Sequence, residues 1–334
     1  MVFVFDPFFV YHKPIANLKE VQKIYQYQVP GVLRNFDYDG VLLGSSVVMS
    51  INADDLAKKY QCKKVVKAVA SSSPASTLKY FLDLSLDSHD VKYIFYGMDV
   101  FSFHKAPHNT GMPEEVAFII NKNPFDDVGY IWNGDILAVK IPDMIRTSMN
   151  PDYDPGMAYG FMQWTPTGTK RVLDNYNPLL TPTIPMKDEM YQFDMVKENI
   201  RALDEKIKQY PNTKFILFTP CYSVLWWDRA YRDGLYNAYL HTLDYAFSTL
   251  LKNQNVEIYA VNFNNAEYIT DLSDYADPIH GSLAITRMMT ESLGDQEQRI
   301  TLDNYKQHIE QLDEAVVEFM DRVNNEGIDF LYQE

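Results

Sequence analysis

Three residues of this chain have the types and placement to do acyl-transfer chemistry: Ser46, Asp277 and His280. The stretch Asp39-Gly-Val-Leu-Leu-Gly-Ser-Ser46 reads as a buried strand that runs into a small-residue turn and then a short helix. Such a turn lifts a hydroxyl clear of a sheet edge, and Ser46 is the candidate nucleophile. A serine hydroxyl is a weak nucleophile near neutral pH and needs a positioned base; an imidazole base in turn needs a carboxylate to fix its tautomer and stabilise its charged form. Asp277-Pro-Ile-His280 supplies both groups at a spacing that lets them face the same way on a helical turn. Each signal has a plainer reading, because serine is a favoured helix N-cap and Asp-Pro is ordinary turn chemistry. Their chain order and their positions at strand ends favour the catalytic one.

The elements that must position these residues follow from hydrophobic patterning. Apolar runs at Val41–Leu43, Lys64–Ala70, Val91–Met98, Lys214–Phe218 and Val256–Phe263 read as five strands. Helical patterns alternate with them: one capped by Asn52, one opened by Pro74, one spaced on Val196, Ile200, Leu203 and Ile207, and one over about Trp226–Leu251. The alternation predicts an α/β, doubly wound, flavodoxin-like sheet of about five parallel strands with helices on both faces. Residues 1–37 read as an extended segment lying on the core, with one short helix near Leu18–Tyr25. Residues 38–334 then form a single domain, interrupted at about 101–187 by an irregular insertion with one helix over Val128–Arg146 and an aromatic loop over Pro151–Gly168. A final stripe of Leu302, Tyr305, Ile309, Leu312, Val316, Phe319 and Val323 predicts a long helix docked on the same domain.

In open parallel sheets ligands bind outside the carboxyl ends of the strands. Strand one ends at Ser46, strand two at Ser71 to Ser73, strand three at Asp99 and strand four at Cys221 and Tyr222, and strand five leads to Asp277 and His280. The suggestive polar residues therefore share one edge. Backbone amides at Ser46, Ser72 and Ser73 are the candidate oxyanion donors, and Asp99, Tyr222, Trp226 and Trp164 are candidates for substrate contact.

Composition narrows the partners. The chain of 334 residues carries 30 basic and 45 acidic residues, a formal charge of −15 that repels phosphate backbones, so nucleic acid is not an expected partner. Two cysteines, Cys62 and Cys221, make no disulfide framework. His104 and His108 are four residues apart with Pro107 between them and no evident third ligand, so no metal site is expected. No apolar run reaches the roughly 20 residues that span a bilayer. The apolar start Met1-Val-Phe-Val-Phe5 nevertheless fits the end of a membrane anchor.

With these residues identified, the chain resembles the SGNH/GDSL hydrolases. Gly44-Ser45-Ser46 looks like their Gly-Asp-Ser nucleophile block and Asp277-x-x-His280 like their closing block. Within that superfamily it is similar to the branch that includes the D-alanine transfer protein of teichoic acid and the alginate O-acetyltransferases. Asp6-Pro-Phe-Phe9, Asp37-Tyr-Asp39, Phe218-Thr-Pro220 and Trp226-Trp227 are similar to phrases in bacterial members linked to cell-surface polysaccharides. The resemblance covers most of the chain. It implies Ser46 as nucleophile, His280 as base, Asp277 as orienting carboxylate and no cofactor. It also implies an acylated carbohydrate or other small ester as substrate, an extracytoplasmic location and a membrane-bound partner in polysaccharide assembly. Two blocks depart from the pattern. A serine, Ser72, stands where an oxyanion glycine is usual, and Gly97-Met-Asp99 lacks the usual asparagine. A carboxylate cannot donate to an oxyanion unless protonated, so the second departure bears on the oxyanion hole. The other class of function left open is a non-catalytic glycan-binding or assembly protein on the same fold.

Overall fold

Short apolar runs buried on both faces form the strands, as a covered parallel sheet requires. In the computed structural model, which describes residues 1–107, 127–176, 184–261, 263, 266–327 and 331, they are β1 Gly40–Gly44, β2 Val65–Val69, β3 Tyr93–Gly97, β4 Lys214–Phe218, β5 Val256–Tyr259 and β6 Arg299–Ile300. The sheet order is β2-β1-β3-β4-β5-β6. The first five strands are parallel, an order consistent with a flavodoxin-like layout, and β6 pairs antiparallel with β5. The fold is thus α/β with a mostly parallel, mixed six-stranded sheet. Beyond the five strands expected, β6 adds two residues whose pairing is set by tertiary contact and not by any apolar run.

Among the described residues, helices of eight or more residues are α1 Tyr25–Asn35, α2 Ala53–Tyr60, α3 Ala75–Ser88, α4 Ile141–Met149, α5 Phe193–Gln209, α6 Val224–Arg232, α7 Tyr236–Leu250, α8 Leu283–Ser292 and α9 Tyr305–Glu326. Consecutive strand residues point to opposite faces. Phe95 meets Tyr60 of α2 with ring centroids 4.9 Å apart, whereas Tyr96 lines a crevice with Leu82 of α3 and Leu203 of α5. Helices therefore cover both faces. On one side α1 packs on α3, α3 on α5, α5 on α7 and α7 on α9. Val41, Leu42, Leu43, Ile94, Phe95, Phe215 and Ile216 have no exposure. Burying each such side chain stabilises the fold by roughly 1.5–3 kcal/mol.

Several expectations are corrected. The N-terminal segment is not merely extended: its helix lies at Tyr25–Asn35, beyond the Leu18–Tyr25 expected, and buries Val29, Val32 and Leu33 in the main core. Pro30 and Gly31 inside this helix disguise it, because both residues ordinarily interrupt helices. The helix expected over Val128–Arg146 is a single turn, Val128–Ile131, then a π-helical stretch, Ile136–Lys140, continuing into α4. Asn133 caps the second part by accepting from the amides of Asp135 and Ile136. The helix after β4 is two helices, broken at Asp233 and Gly234. In the terminal stripe Leu312 and Val316 are fully buried against the domain, but Leu302 precedes α9 and is exposed. The aromatic loop has little regular structure, yet it is pinned: Tyr159 N donates to Gln22 O, Met162 N to Ser50 Oγ and Gly168 N to Tyr275 O. No helix among the described residues is long and apolar enough to cross a membrane.

Candidate active site

The parallel strands deliver their carboxyl ends to one edge, and the site begins where β1 stops. Gly44 lets the chain fold back at once, since a Cβ there would lie 2.5 Å from Val48 Cγ2. Gly97 at the end of β3 is needed for the same reason, with Val48 Cγ1 at 2.7 Å from its built Cβ. Val48 thus wedges between two strand ends and props up a 3-10 turn, Ser46–Val48, that carries Ser46 at its first position. Asp99, fully buried after β3, accepts from the Ser45 amide at 3.2 Å through Oδ2 and from the Tyr222 hydroxyl through Oδ1.

His280 lies in a loop closed by an isolated bridge between Tyr275 and Gly281. The loop is not a helical turn. Asp277 Oδ1 accepts from the amides of Ile279 and His280 at 2.9 and 3.0 Å, folding the segment on its own side chain. His280 Nδ1 is 2.8 Å from Asp277 Oδ2, and His280 Nε2 is 2.9 Å from Ser46 Oγ. Burial pushes the Asp277 carboxyl up, but its bonds from the His280 ring and from the Ile279 and His280 amides outweigh this and hold it below its ordinary value. An ionised carboxylate only accepts, so Nδ1 carries the proton and Nε2 of the neutral ring is free to accept from the Ser46 hydroxyl. The three side chains singled out in the sequence come together in the order that proton transfer requires.

Two contacts around His280 had no sequence signal. Phe161, from the aromatic loop, meets the imidazole edge-on with ring centroids 5.1 Å apart and planes at 83°. Ser223, just after β4, donates its Oγ to Pro278 O at 2.7 Å and its amide to the same oxygen at 3.3 Å. The loop path that makes both contacts exists only in three dimensions; a clustering of aromatics over 151–168 is the nearest hint.

The remaining candidates divide. Ser72 has a φ of 50°, the left-handed conformation that glycine adopts without strain. Its carbonyl accepts from Lys105 Nζ. Ser73 is buried, with its carbonyl bonded to Ser102 Oγ at 2.7 Å. Asp99 and Tyr222, 1% and 2% exposed and bonded to each other, cannot contact substrate; they brace the Ser45–Ser46 turn. Burial raises the Asp99 carboxyl to about 6, against the bonds from Tyr222 and Ser45 that lower it. Trp226 stacks on Tyr222 at 4.2 Å and on Tyr239 at 5.5 Å, so its ring is engaged by protein aromatics and is not a free sugar platform. Trp164 is 79% exposed, on the loop that also carries Phe161. His104 is a core histidine, its Nε2 2.8 Å from Thr242 Oγ1 and its ring held neutral by burial, which brings it down to about 4; His108 lies outside the described residues. Both cysteines are free thiols.

No protein-family model and no curated protein matches the chain. Among solved structures, one described as that of "a putative platelet activating factor from Streptococcus pneumonia" aligns over 81% of this chain and 90% of its own, with 12% identity and a TM-score of 0.42. That likeness is too loose to carry an argument about activity.

Proposed function

We propose that the protein is a serine-dependent acyl ester hydrolase or O-acyltransferase of the SGNH type. The observation that carries this reading is the continuous bond chain from Asp277 through His280 to Ser46 Oγ at the edge where parallel strands end. As Ser46 Oγ bonds to the ester carbonyl carbon, its proton passes to His280 Nε2. The tetrahedral intermediate collapses, that proton goes to the leaving alcohol oxygen, and the acyl group stays on Ser46. Water or a sugar hydroxyl then attacks the acyl-enzyme and gives its proton to His280, which passes it to Ser46 Oγ as the acyl–serine bond breaks and the acid or the new ester is released. Backbone amides at Ser46 and the Ser72 turn are the donors proposed for the oxyanion. A cell-surface glycan or its precursor is the proposed substrate, and an extracytoplasmic site of action belongs to the same reading.

One observation favours the non-catalytic alternative. Both carboxylate oxygens of Asp99 are already engaged, so the strand-three position offers no side-chain donor to an oxyanion. Reaction with a phosphonate that labels activated serines separates the two readings: a catalytic site is modified on Ser46, and a decayed one is not.

A further inference from the structure

Beside the His280 loop lies a pocket of about 280 Å³. Ser72 and Ile279, the residue before His280 in the chain, are among the residues that line it. Phe101, Trp226 and Tyr239 give it an aromatic wall, and Lys105 and Arg229 place two cations in it against the single carboxylate of Asp233. In a chain of formal charge −15 that local balance is reversed.

The two cations differ. Arg229 Nε is taken by Asp233 Oδ2 at 2.7 Å at the exposed rim. Lys105 Nζ meets the Ser72 carbonyl and lies 5.0 Å from the centre of the Phe101 ring, but among the described residues it meets no carboxylate. Burial lowers its pKa while the attraction of the Asp99 charge opposes this, as for an ammonium partly stripped of water. A half-buried, unneutralised ammonium in a concave aromatic pocket is a binding feature for an anion, and an ammonium serves a carboxylate or phosphate as a point charge.

We propose that this pocket is the subsite for an anionic group, carboxylate or phosphate, carried by the ester on which Ser46 acts. Lys105 is its charge partner and the aromatic wall packs the apolar linker between anion and scissile carbonyl. The proposal rests on the serine reading above.

The test compares three esters: 4-nitrophenyl acetate, 4-nitrophenyl hydrogen succinate with its anion on the acyl side, and O-acetyl glycerol phosphate with its anion on the alcohol side. One anionic ester is expected to show a kcat/KM at least tenfold above the neutral ester, and which one tells the side on which the anion sits. Lys105→Met should reduce that preference at least fivefold, chiefly through KM, and Lys105→Arg should restore it. Because Lys105 also holds the Ser72 turn, Arg229→Gln supplies a second variant, expected to erode the preference in the same direction. Calorimetric binding of succinate and of glycerol phosphate to the Ser46→Ala protein reads the pocket without turnover. Saturable binding weakened about tenfold by adding Lys105→Met supports the proposal. Binding of neither anion, or equal losses on neutral and anionic esters in Lys105→Met, overturns it. Ser46-dependent turnover without anion preference removes the pocket proposal alone, whereas anion binding with Ser46-independent turnover removes the serine reading and, with it, the pocket's role as a subsite of that reaction.

Discussion

At the scale of single residues, the side chain that best explains how Ser46 is held is one that never touches solvent. Asp99 ties the Ser45 amide of the β1 turn to the Tyr222 hydroxyl beyond β4, across a fully buried carboxylate. Asp99→Ala leaves both partners buried and unpaired, at about 1–3 kcal/mol each. Urea unfolding should show Asp99→Ala less stable by about 2–4 kcal/mol, while Asp99→Asn, which keeps one acceptor and can donate to the tyrosine oxygen, should lose less than about half of that. Equal losses in the two variants would contradict the bracing role. Residue types were enough to mark Ser46, Asp277 and His280, because acyl chemistry demands a hydroxyl, an imidazole and a carboxylate. They were not enough for Asp99 and Tyr222: a buried acid and a buried phenol look like ligand contacts until their mutual bond is seen.

At the scale of elements, strand ends set the site and loops complete it. The strands were legible because parallel strands buried on both faces are unbroken apolar runs. Helix α1 was not, since Pro30 and Gly31 sit in its middle and its stability comes from packing Val29, Val32 and Leu33 into the core. Nor was the break between α6 and α7, where the apolar pattern runs on through Asp233 and Gly234. The support of the His280 loop was likewise hidden, because Ser223 reaches Pro278 across 55 residues of chain. Ser223→Ala removes the side-chain half of that support. Steady-state kinetics on a nitrophenyl ester should show kcat lower by about tenfold with KM nearly unchanged, as expected for a base displaced by a fraction of an ångström. A rise in KM at constant kcat would instead place Ser223 in substrate binding.

At the scale of the whole molecule, a buried amine adds to the Met162–Ser50 bond in joining the nucleophile turn to the aromatic loop. Lys67, on strand β2 and 1% exposed, donates to Met49 O beyond the Ser46 turn and to Ala158 O in the loop that carries Phe161, both at 2.8 Å. Burial brings its pKa down from 10.5 to about 7, against the attraction of Asp154 and Asp54. A neutral amine still has two N–H groups for two carbonyls, so deprotonation breaks neither bond. The sign follows from proton counts. Between about 7 and 10.5 the unfolded chain holds a proton on this lysine that the folded protein has released, so this group makes the fold more stable as pH rises through that window. The penalty of the buried charge is fully present below about 7 and relieved toward 10.5. Lys67→Met should flatten the pH dependence of unfolding free energy over that window, where a single such group contributes a slope of up to ~1.4 kcal/mol per pH unit. An unchanged slope would show that Lys67 titrates as an exposed lysine.

The central claim is that Ser46 is a nucleophile activated by His280. Incubation with a fluorophosphonate, followed by peptide mass spectrometry, tests it directly: Ser46 Oγ bonds to phosphorus, fluoride leaves, and His280 takes the proton. The expected result is one adduct on the Ser46 peptide of the native protein, formed at least about a hundredfold more slowly in His280→Ala and absent in Ser46→Ala. No adduct on Ser46, or equal labelling of native and His280→Ala proteins, would contradict it.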